Sequence, residues 1–92
     1  MMLEIIWTDY LKFKAKLRGF NLEHIEKIIR YSSERYFDTT TERLVVVGKH
    51  TTILVMIPHE TTEDGTVTPI TIHATTRQQV NYRVKSGRFQ NE

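Results

Sequence analysis

A histidine at position 73 precedes an arginine at position 77 by one helical turn, with Ala74, Thr75 and Thr76 between them. Histidine is the side chain best suited to move a proton near neutral pH, and a helix N-terminus that carries an arginine favours a phosphate. In an extended segment, Ile70, Ile72 and Ala74 share one face while Thr71 and His73 share the other, because side chains alternate across a strand. His73 then stands on the less apolar face, next to the start of a helix. The competing role is that of a sheet histidine hydrogen-bonded to a neighbour.

Further cations follow. Between Thr66 and Asn91 the chain carries Arg77, Arg83, Lys85 and Arg88 without an acidic residue. In a final helix, Arg77, Asn81 and Arg88 fall beside the stripe formed by Val80 and Val84, where arginines either meet an RNA backbone or cover the core with their stems. Arg43 and Lys49 share a strand face with Val45 and Val47, and Tyr36 or Tyr82 offers a stacking surface for a base. Basic strand ends also guard against edge pairing. Lys12, Lys14, Lys16 and Arg18 form another basic cluster, of the kind that usually makes a solvated face. Negative charge gathers at Glu60, Glu63 and Asp64, and the net charge is only +2.

Other chemistries find little support. His24, His50, His59 and His73 are scattered, without an i, i+4 pair or a carboxylate triad, so no metal or other cofactor is expected. There is no phosphate-binding glycine loop and no serine nucleophile motif. The absence of cysteine removes thiolate nucleophiles and disulfides and suits a reducing compartment. Met1 to Trp7 is too short for a signal-peptide core, and no apolar run approaches bilayer length, so a cytoplasmic, non-membrane protein is expected.

The 92 residues suffice for one domain, and an apolar fraction of 39% lies outside the disordered range. Leu3 to Trp7 reads as a short strand or extended lead-in. Thr8 and Gly19 bracket a helix by their capping chemistry. Leu11, Phe13, Ala15 and Leu17 alternate with basic residues as in a strand, but Leu, Lys, Ala and Arg are helix formers and no β-branched residue interrupts them, which decides for helix. Asn21 caps a second helix in which Leu22, Ile25, Ile28 and Ile29 recur at helical spacing. Strands are expected at Arg35 to Asp38, Arg43 to Lys49, Ile53 to His59 and Val67 to Ala74, joined as sequential antiparallel hairpins. Thr75 or Thr76 opens a last helix, with a capping box from Thr75 to Gln78, Gly87 beyond its end, and Val80 and Val84 facing the sheet. A last strand through Val80, Tyr82 and Val84 is the competing reading. The fold class is α+β: two N-terminal helices, a three- to four-stranded antiparallel sheet and a C-terminal helix.

The order of these features resembles the BrnT-like toxins of the RelE/ParE superfamily of type II toxin–antitoxin systems. The residues that carry the likeness are Ile6-Trp7, a lysine-rich helix ending in Arg18-Gly19-Phe20, an acidic helix from Asn21, a strand from Glu42-Arg43-Leu44 to Gly48, and Ile72-His73-Ala74-Thr75-Thr76-Arg77 before a helix. The likeness extends from about Ile5 to Val84. Ala74, Thr75 and Arg77 match the family's alanine, threonine and basic residue at the last strand-to-helix junction. Gln78, Gln79 and Asn81 depart from a final helix that is richer in arginine and acidic residues in the family.

The resemblance implies a RelE-like fold, metal-independent cleavage of RNA and a small antitoxin protein that masks the active surface. Cleavage by a ribose 2′-hydroxyl requires a base, stabilisation of the phosphorane-like state and an acid for the leaving oxygen. On that reading His73 transfers the proton, Arg77 and Arg83 stabilise the phosphate, and Arg43, Lys49, Lys85 and Arg88 hold the RNA. The alternative is a non-catalytic RNA- or protein-binding module related to such toxins. A homodimer formed through the sheet is a further expectation.

Overall fold

A computed structural model describes residues 3–92 as β1 (Glu4–Ile5), α1 (Asp9–Leu17), α2 (Leu22–Tyr31), β2 (Glu34–Asp38), β3 (Arg43–His50), β4 (Ile53–Thr61), β5 (Thr66–Pro69), β6 (His73–Ala74), α3 (Arg77–Lys85) and β7 (Phe89–Asn91).

The capping residues decide the helices. The Thr8 hydroxyl accepts the Leu11 amide at 3.1 Å, and Asp9 complements the positive end of α1. The alternation along this segment does not control its structure. Leu11 and Ala15, one turn apart, are buried, while Tyr10, Phe13 and Leu17 remain exposed. Gly19, at φ +76°, reverses the chain after Arg18. Asn21 Oδ1 then accepts the amides of Glu23 and His24, and α2 turns Ile25, Ile28 and Ile29 inward. At α3 the cap is Thr76, whose hydroxyl accepts the Gln79 amide at 3.1 Å. Thr76 is thus the cap of the two threonines expected, in place of a capping box from Thr75 to Gln78; Thr75 is buried and its hydroxyl donates to the Gln79 side-chain oxygen.

The sheet runs β1-β5-β4-β3-β2-β7, with β6 also on β4. It corrects the expectation of three or four antiparallel strands: seven strands are present among the described residues, and β1 pairs parallel to β5. The parallel pair arises because two helices and a three-strand meander separate β1 from β5 in sequence. The strand expected from Val67 to Ala74 is divided. His59 faces Pro69 and Met56 faces His73, so three steps along β4 match four along its partner, and one residue is bulged out. Pro69 has no amide hydrogen to continue the ladder, and the next N–H, of Ile70, bonds the Pro58 carbonyl at 2.8 Å.

Two cores result. On one face α1 and α2 bury Leu11, Ala15, Phe20, Ile25, Ile28 and Ile29 against Val46, Val55, Ile57, Val67 and Ile72. On the other, α3 contributes Val80 to a smaller cluster with Val45, Val47 and Phe89. Val84, expected to face the sheet, is 38% exposed, because α3 touches the sheet mainly through Val80. No helix among the described residues is long and apolar enough to cross a membrane.

Candidate nucleic-acid interface

The ladder places Glu34 opposite Val47, Val47 opposite Met56, and Met56 opposite His73. Residues paired in this way share a face, here the one that carries α3. At roughly 4.8 Å between neighbouring strands, the Glu34 and His73 backbones are about 14 Å apart.

This row settles the position of Arg77. Its guanidinium makes two bonds to the Glu34 carboxylate, at 2.6 and 2.8 Å, and the Tyr36 hydroxyl donates to the same carboxylate at 2.7 Å. The Arg77 bonds hold the Glu34 carboxyl below its ordinary pKa, and the pairing raises that of Arg77. Arg77 thus fastens the start of α3 to β2, and it does not converge with His73.

Two more of the expected RNA contacts are engaged by carboxylates. Arg88 makes two bonds of 3.0 Å to Asp38, which is almost fully buried. Burial opposes ionisation of Asp38, but the Arg88 bonds and the amides of Thr40 and Thr41 outweigh it and lower its pKa. Arg43 lies 3.5 Å from Glu60 across the β3–β4 pair. Lys49 and Lys85 are exposed, and neither makes an ion pair among the described residues.

A different set of cations surrounds His73. Arg18, at the end of α1, donates through Nη1 to the Ile72 carbonyl and lies 3.2 Å from His73 Nδ1. A guanidinium can only donate, so Nδ1 is the accepting nitrogen and the neutral ring carries its hydrogen on Nε2. Burial first, then the positive fields of Arg18, Lys14 and Arg83, lower the pKa of His73. The imidazole is therefore mainly neutral at pH 7, held where the end of α1 meets β6 with the Arg18 guanidinium at its Nδ1. Such a group can donate to an anion through Nε2, and it can accept a proton on Nδ1 once Arg18 moves aside.

The β5–β6 bulge is essential to this arrangement. An unbroken strand would put Val67 and His73 on one face. The extra residue sends Val67 into the α1–α2 core and His73 to the α3 side. Sequence reading singled out His73 and Arg83 as candidates and set Lys14 and Arg18 aside with Lys12 and Lys16 as a basic run of the solvated kind. The usable signal was the i, i+4 spacing of Lys14 and Arg18 near a helix C-terminus, where the helix dipole favours cations.

Arg83 also borders a second feature. Its Cζ lies 5.8 Å over the Phe89 ring, and its buried Nη1 has no hydrogen-bond partner. With Gln78, Gln79, Tyr82 and Arg88 it lines an open cleft of about 410 Å³.

The other histidines have structural surroundings. His50 Nε2 accepts the Asn21 amide at 2.8 Å, and its ring packs edge-on against Phe20 and His24. His59 is buried, with Nδ1 3.0 Å from the Ile57 carbonyl, and burial lowers its pKa. No group of three potential metal ligands forms among the described residues. Comparison with protein-family models, with curated proteins and with solved structures gave no match to this chain.

Proposed function

We propose that this domain binds single-stranded RNA across the junction of α1, β6 and α3 and cleaves it there without a metal, as a BrnT-like toxin with a RelE-like fold. The observation that carries the reading is the Arg18 guanidinium 3.2 Å from Nδ1 of His73, in a setting where Lys14 and Arg83 add further positive field at the ring. A guanidinium strengthened by further positive field favours a phosphate, and a neutral imidazole beside it supplies the base that 2′-hydroxyl attack requires.

In the free protein Arg18 occupies His73 Nδ1. A phosphate drawn between Arg18, Lys14 and Arg83 takes the guanidinium as its own partner and releases that nitrogen. Nδ1 then removes the 2′-hydroxyl proton; the 2′-oxygen bonds to the adjacent phosphorus, the bond to the 5′-oxygen breaks, that oxygen takes a proton from a solvent water, and the proton on His73 returns to solvent. The products are a 2′,3′-cyclic phosphate and a 5′-hydroxyl. Arg18 and Arg83 stabilise the charge on the pentacoordinate phosphorus, the role expected of Arg77 from the sequence. Lys49 and Lys85 remain candidates for more distant backbone contacts.

The test is cleavage of a labelled single-stranded RNA in excess chelator. Wild type should cut it and leave a cyclic phosphate. His73→Gln should bind without cutting, and Arg18→Ala should lower binding at least tenfold. RNA that wild type neither binds nor cuts would sink the reading.

Binding without cleavage by wild type would leave the non-catalytic module. A specific observation favours a protein partner in either case: Tyr10, Phe13 and Leu17 form an exposed apolar stripe along α1, with Ile6 exposed nearby. A small antitoxin protein, or a second copy of the chain, would cover apolar surface of this kind. The setting of such a toxin is the cytoplasm.

A further inference from the structure

The geometry points to a base-binding subsite for one RNA nucleotide in the cleft lined by Gln78, Gln79, Tyr82, Arg83 and Arg88. It rests on the proposal that RNA binds around His73, and it adds the part of the ligand which that site does not hold.

Gln78 and Tyr82, and Gln79 and Arg83, are each one turn apart, so α3 presents four of these side chains along one side. They supply the complementary parts of nucleotide recognition. Tyr82 is 71% exposed at the cleft, although an aromatic ring of that size ordinarily gains by burial. A base stacked on its face would cover it. The amides of Gln78 and Gln79 each offer a donor and an acceptor, the groups needed to meet a base edge.

The anionic part of the nucleotide has its own partners. Arg83, whose guanidinium lies over the Phe89 ring, lines the cleft and gives it positive charge for a phosphate. Arg88 spends only two of its five N–H groups on Asp38, leaving the rest for the cleft. A cleft of about 410 Å³ accommodates one nucleotide. The helix α3 that lines this cleft follows β6, which carries His73, after two residues, so one strand can place a phosphate at His73 and a neighbouring base on Tyr82. Duplex RNA cannot do this, because its bases are stacked inside the helix.

The experiment compares two fluorescein-labelled oligomers, each about 12 nucleotides long. One is 2′-O-methyl RNA of mixed sequence, which cannot be cut by 2′-oxygen attack; the other has the same backbone without bases. Fluorescence anisotropy at fixed salt should show wild type binding the base-bearing oligomer about tenfold more tightly. Tyr82→Ala should abolish that difference, and Tyr82→Phe should retain it, since the ring face matters and the hydroxyl does not. Arg18→Ala should weaken both oligomers alike. Equal wild-type affinity for the two, or a difference that survives Tyr82→Ala, overturns the subsite while leaving backbone binding intact. Binding of neither oligomer by wild type overturns both proposals. The exposure of Tyr82 lets both variants fold, which circular dichroism checks.

Discussion

His73 and Arg77 are adjacent in sequence by helical spacing, yet they make different partners. Arg77 has Glu34 and Tyr36, whereas His73 has Arg18. Arg77→Ala should therefore leave RNA affinity within about twofold and cost roughly 0.5–1 kcal/mol of stability, the upper range for an exposed pair with two-point geometry. Arg18→Ala should lower RNA affinity at least tenfold, and it should also cost about 1 kcal/mol of stability because its bond to the Ile72 carbonyl is lost. The lowered pKa of His73 sets a pH signature. As pH falls toward the folded pKa, the ring gains a proton and a positive charge, so RNA binding should strengthen while cleavage slows for want of a base. Titrating both between pH 7.5 and pH 5 checks this; parallel changes in binding and cleavage would exclude His73 as the base. Stability has a related dependence. His59 and His73 both have folded pKa values below the ordinary 6.5, so the unfolded chain takes up protons first. Their share of stability is complete above about pH 6.5 and declines as pH falls from there toward the folded values. His59→Gln should flatten that decline in denaturant titrations.

The helices reach the sheet at close quarters, and α2 packs directly on Gly48 of β3. A Cβ built there would lie 2.8 Å from Ile28 Cγ2 and 3.1 Å from Cγ1. Since Ile28 is a buried residue of a rigid helix, Gly48→Ala should cost about 1–3 kcal/mol by overpacking, read as a lower denaturant midpoint. Ile28→Ala would remove both Cγ atoms that the new methyl meets, and the double variant should cost less than the sum of the two single variants. α3 is held differently, by its Thr76 cap, the Arg77–Glu34 pair and the single buried Val80. Thr76→Ala should cost about 1 kcal/mol, with amide exchange rising first in α3. Capping made these helices readable from sequence: Thr8, Gly19, Asn21, Thr76 and Gly87 all stand where side-chain acceptors or left-handed backbone end a helix. The bulge after Pro69 was not readable, because a single extra residue leaves the local composition of a strand unchanged and shows only in the pairing with β4.

Across the whole molecule, charge is sorted more finely than the net value of +2 suggests. Arg43, Arg77 and Arg88 are matched by Glu60, Glu34 and Asp38, whereas Arg18 beside His73 makes no ion pair among the described residues. If Lys14, Arg18 and Arg83 each displace one counterion from single-stranded RNA, log affinity should fall against log salt with a slope of about 2. Lys14→Ala should reduce that slope by about 0.7, and an unchanged slope would remove Lys14 from the interface. The sequence by itself determined the α+β class, the three helices with their caps, and the strands at β2, β3 and β4, because hydrogen-bonding caps and side-chain periodicity act over a few residues. Only the tertiary structure decided which cations are spent on carboxylates, which face His73 occupies, and that α1 supplies its nearest partner. Those outcomes depend on strand register and on residues more than 50 positions apart, such as Arg18 and His73, whose proximity no local pattern encodes.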